Sequence, residues 1–143
     1  MKLNFYQPIM TLLIAGLALA ACGGQPAAAQ GYGIAEFLEE IRAQGAEAEQ
    51  GEAIEQAFFS VIGTIVKLNG ESIQVFEYDS AETMESDAVL VDADGSSIGT
   101  SMVAWVATPH FYKKGRILVL YVGDNAETLE LLEGALGPQF AGR

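Results

Sequence analysis

The sequence predicts an α+β domain with a mainly antiparallel four-stranded sheet and its helices on one face, in the order α-ββ-α-ββ-α. Three observations support this fold class. Residues 34–44 and 126–136 repeat apolar side chains with a helical period, and Asn69-Gly70 separates two β-rich runs. The third observation is an internal similarity between two segments that lie 45 residues apart.

The first helix is predicted over residues 34–44. Its apolar side chains recur with the i, i+3, i+4, i+7 spacing of one helix stripe: Ile34, Phe37, Leu38 and Ile41. Gly45 is a natural C-terminal stop. Residues 46–55 are acidic and have no clear period, so we interpret them as a connection with room for a short strand.

A β-hairpin is predicted around Asn69-Gly70. The runs on either side, 58–68 and 73–78, are rich in aromatic and β-branched residues, and both turn residues tolerate the positive φ of a tight hairpin. A short helix is predicted next, over residues 80–88, with Ser80 as its N-terminal cap.

The third long strand is predicted over residues 102–112, after a turn at 92–97. Pro109 lies inside this run and cannot donate a hydrogen bond to a neighbouring strand. The strand is therefore expected to kink, or to lie at an edge of the sheet, near that residue.

The last strand and the last helix complete the second half. Residues 113–116 turn the chain into 117–122, which is apolar without alternation, as in a central strand covered on both faces. The final helix is predicted over 126–136 and ends at Gly137-Pro138.

The two halves align without a gap when the sequence is shifted by 45 residues. The aligned pairs include Asn69-Gly70 with Lys114-Gly115, Ile73 with Leu118, and residues 79–85 with 124–130. A duplication would imply pseudo-twofold symmetry, with a groove between the halves as a natural binding place. Chance similarity between two amphipathic hairpins is the alternative explanation.

The N-terminus has the composition of an export signal. Lys2 is followed by an apolar core over residues 9–21, which is shorter than the roughly 20 residues that span a bilayer as a helix. The core ends in Leu19-Ala20-Ala21-Cys22, which resembles the bacterial lipobox. That resemblance implies removal of residues 1–21 and acylation of Cys22. An uncleaved anchor and an ordinary secretory signal with a free thiol are the alternatives.

Cys22 is the only cysteine, so no intramolecular disulfide can form. Lipoprotein maturation attaches at least two acyl chains, enough for a durable anchor. Residues 22–33 are predicted to form a flexible tether with a mean reach of roughly 18 Å, and residues 34–143 a single globular domain. We expect the protein outside the cytoplasm in the cell envelope, lipid-anchored to a membrane, the outer one if the cell has two.

The chain is strongly acidic, with 7 basic and 19 acidic residues and a net charge of −12. This balance argues against nucleic acid as a partner, because phosphate binding needs a basic patch. It also argues against adsorption to anionic lipid headgroups, so the lipid on Cys22 is the expected membrane contact. Acidic surfaces attract cations or basic partners, although solubility alone also explains the charge.

The sequence does not assemble a catalytic or metal-binding set. His110 is the only histidine and would have to serve any Ser-His-Asp set, and Cys22 is committed to lipid. One histidine cannot build a zinc site. Asp92 and Asp94 resemble the middle of a calcium loop, but the first ligand position would then be Leu90 and the last would be Ser101 instead of glutamate, so the pattern fails. We predict no catalytic residue, no metal and no cofactor, and we expect His110 to be a strand-surface residue with local hydrogen bonds.

One stretch concentrates the residue types of binding hot spots. It holds the only tryptophan, the only histidine and three basic side chains. The candidate binding surface consists of Trp105, Pro109, His110, Phe111, Tyr112, Lys113, Lys114 and Arg116. In an acidic domain this surface is suited to an acidic or glycan partner. Alternatively, Trp105 and Phe111 belong to the core and the lysines keep a turn soluble.

Four segments resemble a group of small exported bacterial proteins, and the resemblance would cover residues 34–140. The segments are Phe58-Phe59-Ser60-Val61, Asn69-Gly70-Glu71, Val75-Phe76-Glu77-Tyr78, and Pro109-His110-Phe111-Tyr112 through Leu118-Val119-Leu120-Tyr121-Val122-Gly123. The resemblance implies an exported lipoprotein. It brings no activity with it, so no residue role follows from it.

The predicted function is a lipid-anchored, extracytoplasmic binding module without catalysis, whose partner is an unknown envelope protein or glycan. Two alternatives stay open. One is an enzyme that acts on an envelope polymer through carboxylates assisted by His110, which two converging carboxylates in a cleft would favour. The other is a structural lipoprotein that dimerises through its sheet, which a large apolar patch on the sheet would favour.

Overall fold

The computed structural model describes residues 31–143; the export signal, the lipobox and Cys22 lie outside the described residues. The described chain contains three helices and a six-stranded sheet in which every pairing is antiparallel. The prediction of an α+β, mainly antiparallel domain is confirmed. The prediction of four strands is wrong, because one further strand lies at each edge.

The helices are α1 (Ile34–Ala43), α2 (Ala81–Ala88) and α3 (Ala126–Leu136). The large sheet contains β1 (Ala48–Ile54), β2 (Gly63–Leu68), β3 (Glu71–Glu77), β6 (Pro109–Lys114), β7 (Ile117–Val122) and β8 (Ala141–Gly142). Strands β4 (Ser97–Ile98) and β5 (Ser101–Met102) form a separate ribbon. The strand order in the large sheet is β1-β2-β3-β7-β6-β8.

Both faces of the large sheet are covered, which corrects the prediction that the helices lie on one face. On one face α1 and α3 pack on alternate strand residues, and this α1/α3 core contains Val119 and Leu132. On the other face α2 and the loop 89–107 form an α2 core that contains Met84 and Leu118. Because side chains alternate along a strand, the neighbours Leu118 and Val119 enter different cores.

Strand β7 lies between β3 and β6, and its residues from Ile117 to Tyr121 are at most 1% exposed. The prediction of a central strand covered on both faces is therefore confirmed. Its uninterrupted apolar sequence has a direct physical reason, since every side chain that turns away from one core enters the other.

Two local predictions are confirmed by backbone geometry. Asn69 and Gly70 both have positive φ, as a tight hairpin turn with two such residues requires. The Ser80 side chain accepts a hydrogen bond from the backbone N–H of Thr83 and so caps α2. These features depend on neighbours in sequence, which is why the sequence is sufficient to predict them.

The two hairpins do not repeat with the predicted spacing. Leu68 pairs with Glu71, and Lys114 pairs with Ile117, so structurally equivalent positions are 46 residues apart. A shift of one residue moves a side chain to the opposite face of a sheet. Ile73 lies in the α1/α3 core, whereas Leu118, with which it aligned in sequence, lies in the α2 core.

The pseudo-twofold symmetry expected from a duplication is absent. The helices that follow the two hairpins lie on opposite faces of the sheet, since α2 packs in one core and α3 in the other. Strands β3 and β7 are paired neighbours at the centre of the sheet, so no groove separates the two halves. Duplication as the origin of the two hairpins stays a prediction.

Strand β6 begins at Pro109, and residues 103–108 form a loop instead of the first half of a long strand. A proline at the first position of a strand leaves no ladder hydrogen bond unmade inside the strand. Strand β2 also begins late, at Gly63, because the preceding residues turn and bury Phe59 against Phe76, with ring centroids 4.7 Å apart.

The folded domain includes Tyr32, which lies within residues 22–33, the range predicted for the tether. Tyr32 is 8% exposed, and its hydroxyl donates to Glu40 at 2.6 Å. The Tyr32 carbonyl accepts from the backbone N–H of Arg116 at 3.0 Å, and the Ile34 N–H donates to Glu77 at 2.9 Å. The chain therefore enters the domain beside the β6–β7 turn.

The carboxylate of Asp87 fastens the loop before β2 to helix α2. One of its oxygens accepts from the backbone N–H and the hydroxyl of Ser60, at 2.7 and 2.8 Å, and from the Tyr78 hydroxyl at 2.9 Å. Both Asp87 and Tyr78 are buried. This carboxylate therefore accepts three hydrogen bonds and holds the irregular segment between β1 and β2 against α2.

We expect Asp87→Ala to lower the free energy of unfolding by about 1–3 kcal/mol, because the buried Tyr78 hydroxyl loses its acceptor. Ser86→Ala, an exposed change on the same helix, is the matched control and should stay within about 0.5 kcal/mol of the parent. Urea unfolding followed by circular dichroism measures both. Equal effects of the two substitutions would refute this role for Asp87.

Four tyrosines should make the fold sensitive to alkali. Burial raises the pKa of Tyr32, Tyr78, Tyr112 and Tyr121, and nearby carboxylates raise each pKa further. The unfolded chain releases these protons near pH 10 while the folded chain keeps them. Stability is therefore complete below pH 10 and falls above it, by about 1.4 kcal/mol per pH unit for each such tyrosine.

Urea unfolding between pH 9 and pH 11.5, together with phenolate absorbance, tests this expectation. Phenolate from Tyr32 and Tyr78, whose pKa values are raised most, should appear with unfolding and not before it. Tyr78→Phe should reduce the slope of stability against pH by the share of one tyrosine. Ionisation of either of these two tyrosines near pH 10 in a chain that stays folded would contradict the expectation.

Candidate functional site

The eight residues of the candidate binding surface do not form one surface. Residues Pro109 to Tyr112 are buried. Alternation along β6 also divides the set. Tyr112 and Lys114 face the α1/α3 side, and Phe111 and Lys113 face the α2 side. The structure therefore separates residues that the sequence places side by side.

The three basic residues of the set are occupied in ion pairs. Lys113 pairs with Glu85 of α2 at 2.6 Å. Lys114 pairs with Glu40 of α1 at 2.9 Å and also donates to the carbonyl of Ala135 in α3 at 2.7 Å.

Arg116 pairs with Glu77 at 3.0 Å. All three cations lie at the β6–β7 turn, whereas Trp105 precedes the other end of β6. Trp105 and these cations therefore do not share one surface, and an acidic or glycan partner stays a prediction.

His110 is 6% exposed, so it is not a strand-surface residue as predicted. Its Nδ1 lies 2.7 Å from Oε1 of Gln139, and its ring stacks on Tyr121 with centroids 6.1 Å apart. With that amide oxygen as acceptor, Nδ1 carries the proton and Nε2 presents a lone pair. Within residues 31–143, Nε2 has no hydrogen-bond partner. The hydrogen bond joins β6 to a residue 29 positions away in sequence, so it is not the local hydrogen bond that was predicted.

A cleft of about 420 Å³ forms beside Trp105, and we call it the Trp105 cleft. Its walls combine two residues of the predicted surface with residues from three other segments. The residues that line the cleft include Asp94, Val103, Trp105, Pro109, Asp124 and Arg143. The start of β6, the end of β7 and the C-terminal edge of the sheet therefore meet at one place.

The Trp105 ring is held firmly. Its Nε1–H donates to the carbonyl of Gly95 at 2.6 Å, and the ring lies edge-on to Phe111 and Phe58, with centroids 5.9 and 6.2 Å away. Gly95 has φ +71°, and a Cβ there would lie 2.9 Å from the Phe111 ring. Glycine at this position thus lets the turn approach the sheet and receive the indole N–H.

Strand β8 places Arg143 at the cleft. The Gly142 N–H donates to the carbonyl of Ala93 at 3.0 Å, and the Arg143 N–H donates to the carbonyl of Pro109 at 3.2 Å. The Arg143 guanidinium lies 3.6 Å from the Asp94 carboxylate. The short strand therefore joins the 92–97 turn to the start of β6 and sets the charged groups beside the tryptophan.

The charges at the Trp105 cleft favour a negative potential. The backbone N–H of Ser96 holds the pKa of Asp94 below its usual range, and Arg143 lowers that pKa further. Asp124 also lines the cleft and is exposed. Two carboxylates thus accompany one guanidinium, within a chain whose net charge is −12.

A second cleft, of about 380 Å³, lies on the α1/α3 side of the sheet. His110, Tyr112, Glu133 and Gln139 contribute to its walls. Burial raises the pKa of Tyr112, and Glu133 raises it further, so the phenol is a hydrogen-bond donor at neutral pH. Arg143 lines this cleft as well as the Trp105 cleft, so the two clefts adjoin at that residue, although His110 and Trp105 themselves line different clefts.

The aspartates of the 92–97 turn serve the backbone. The Asp94 carboxylate accepts from the Ser96 N–H at 2.9 Å, and Asp92 accepts from the Ser97 hydroxyl. In the part of the chain that the structure describes, no group of three or more His, Cys, Asp or Glu side chains is placed to hold a metal ion. In the same part, no helix has the length and apolarity needed to cross a membrane.

The sequence does not mark Asp94, Asp124 and Arg143 as members of one site. It predicts a turn at 92–97, and no local pattern distinguishes Asp124 or Arg143. Their proximity depends on β8, which has two residues and no periodicity to detect.

We expect His110→Phe to change the free energy of unfolding by less than about 1 kcal/mol. The lost hydrogen bond to Gln139 is offset by removal of a buried nitrogen without a partner. His110→Ala, which leaves a cavity in the same place, should cost about 2–4 kcal/mol. Urea unfolding compares the two. A large loss in the phenylalanine variant would mean that Nε2 has a polar partner in solution.

No protein-family model, no curated protein and no solved structure matches this chain. The resemblance of residues 34–140 to small exported bacterial proteins therefore stays a prediction. No function can be inferred from a relative, so the geometry of the site is the basis for inferring a ligand.

Proposed function

We propose that this protein is an exported, lipid-anchored binding module that performs no catalysis, and that its ligand site is the Trp105 cleft. The observation that carries the proposal is a preformed aromatic cleft in which the Trp105 ring is already fixed by Gly95, Phe111 and Phe58. A fixed ring loses little conformational freedom when a ligand binds, which favours affinity.

The position of the cleft supports display away from an anchor. The chain enters the domain at Tyr32, beside the β6–β7 turn. The cleft lies at the other end of these two strands, next to Pro109 and Asp124. Six-residue strands place the two ends about 17 Å apart. The cleft therefore lies about 17 Å from the point at which a chain held through Cys22 would enter the domain.

An enzyme that acts on an envelope polymer is the second candidate, because Asp94 and Asp124 share one cleft. Glycoside hydrolysis needs one carboxyl group with a raised pKa to act as the acid. Both carboxylates here are exposed, and the pKa of Asp94 is lowered. His110 does not line the cleft that holds these two carboxylates. The geometry therefore favours binding over hydrolysis.

A structural protein that dimerises through its sheet is less well supported. That function needs a bare apolar sheet face, and the described sheet carries the α1/α3 core on one face and the α2 core on the other. The large apolar side chains that are exposed lie in loops, at the C-terminal end of α2 or in the β4–β5 ribbon.

We expect Cys22→Ser to abolish lipid attachment and to release the protein from the membrane fraction. The thiol of Cys22 is the acylation site implied by the lipobox, and the chain has no second cysteine. Labelling with radioactive palmitate and fractionation of cells that express the full chain measure both effects. Retention of label in the serine variant would refute the anchor without bearing on the cleft.

Ligand binding at the cleft should change the fluorescence of the protein, because Trp105 is the only tryptophan. A thermal-shift screen of envelope glycan fragments and short peptides finds ligands anywhere on the fold, since about 100 times the Kd stabilises a protein by roughly 2.7 kcal/mol. A ligand of the Trp105 cleft should also shift tryptophan emission. A ligand that shifts stability alone would place the site elsewhere, for example beside His110.

A further inference from the structure

The loop around Trp105 is unusually apolar for an exposed segment. Residues 102–107 contain no charged or hydroxyl side chain. Within it Met102 is 92% exposed and Val106 is 99% exposed. Val103 and Trp105 of the same loop line the cleft. Exposed apolar side chains that surround an aromatic cleft are typical of a surface that contacts another macromolecule.

The rim of this apolar surface is acidic. Asp94 and Asp124 lie on its walls, and Asp92 lies exposed in the same turn as Asp94. Arg143 is the one basic residue among the walls of the cleft, and it is paired with Asp94. Two carboxylates against one guanidinium leave the walls of the cleft negative, and Asp92 adds a further negative charge in the neighbouring turn.

The cations that would reverse this sign are engaged elsewhere. Lys113, Lys114 and Arg116 form their ion pairs at the β6–β7 turn, about 17 Å away along the strands. An anionic lipid surface or an acidic polymer would meet repulsion at the rim, because like charges brought together at an interface disfavour binding.

We propose that the Trp105 cleft binds an extended, basic segment of a partner protein, in which an aliphatic side chain enters beside Trp105 and Pro109 and flanking lysine or arginine residues meet Asp94 and Asp124. The inference depends on the proposed role of the cleft and is independent of the lipid anchor. Apolar anchors at the centre with complementary charges at the rim are the usual division of labour in protein interfaces.

The test is a fluorescence titration of the full chain with an end-blocked peptide of sequence Lys-Lys-Leu-Lys-Lys. Binding should shift tryptophan emission and saturate. Replacing the peptide leucine with alanine should weaken binding about fifteen- to fiftyfold, because two to three buried carbon groups are lost. The peptide with glutamate in place of lysine should not bind. Raising the salt from 50 to 500 mM should weaken binding severalfold.

Matched variants separate the local rim from the overall charge. Asp124→Asn and Asp94→Asn should each weaken binding about two- to fivefold, the size expected for exposed charge pairs. Asparagine keeps the acceptor for the Ser96 N–H, so the 92–97 turn should persist, and the melting temperature checks this. Asp79→Asn removes the same charge from an exposed site beside the start of α2 and should leave binding unchanged.

Each other result would overturn the proposal in a distinct way. If Asp79→Asn weakens binding as much as Asp124→Asn, the peptide is attracted by net charge alone. If a glycan fragment or anionic vesicles shift emission and the lysine peptide does not, the cleft binds a ligand of another class. If no probe shifts emission, the cleft is not a ligand site, and the proposed binding function fails there while the result for Cys22 still stands.

Discussion

The burial of strand β7 on both faces is the constraint on which the rest of the structure depends. A strand with apolar side chains on both faces needs a covering layer on each. Helices α1 and α3 form one layer, and α2 with the loop 89–107 forms the other. With a single cysteine in the chain, no intramolecular disulfide can replace either layer. The loop 89–107 is therefore a packed part of the fold, which explains how it can hold a rigid aromatic cleft.

The scarcity of basic residues gives the domain two different ends. Three of the basic residues pair with carboxylates around the β6–β7 turn, where Tyr32 also packs. Exposed pairs of this kind each contribute little to stability. Their main consequence is the charge distribution, because they neutralise the end where the chain enters. The opposite end keeps an excess of carboxylates beside Trp105, so the two ends present different chemistry to solvent.

The sequence was sufficient for features that depend on near neighbours. Asn69-Gly70 formed the expected turn, Ser80 capped its helix, and the apolar run of β7 became a central strand. The sequence was insufficient for features that depend on contacts between segments far apart in the chain. The shift of 45 residues aligned the helices, but equivalent strand positions are 46 residues apart. An error of one residue in a strand places a side chain on the wrong face of the sheet. Strand β8 had no local signal at all, since its pairing with β6 supplies its only structure.

The residues of the candidate site could not be predicted from the sequence for the same reason, and this changes which charges lie beside Trp105. Along β6 the alternation of side chains divided the predicted surface between two cores, although its members adjoin in sequence. At the edge of the sheet, β8 and the 92–97 turn brought Arg143 and Asp94 beside Trp105, although these segments are far apart in sequence. The charges next to the tryptophan in space are thus two carboxylates and one guanidinium, whereas those next to it in sequence are lysines. Because a partner would meet the spatial neighbours, the proposed partner is basic and not acidic.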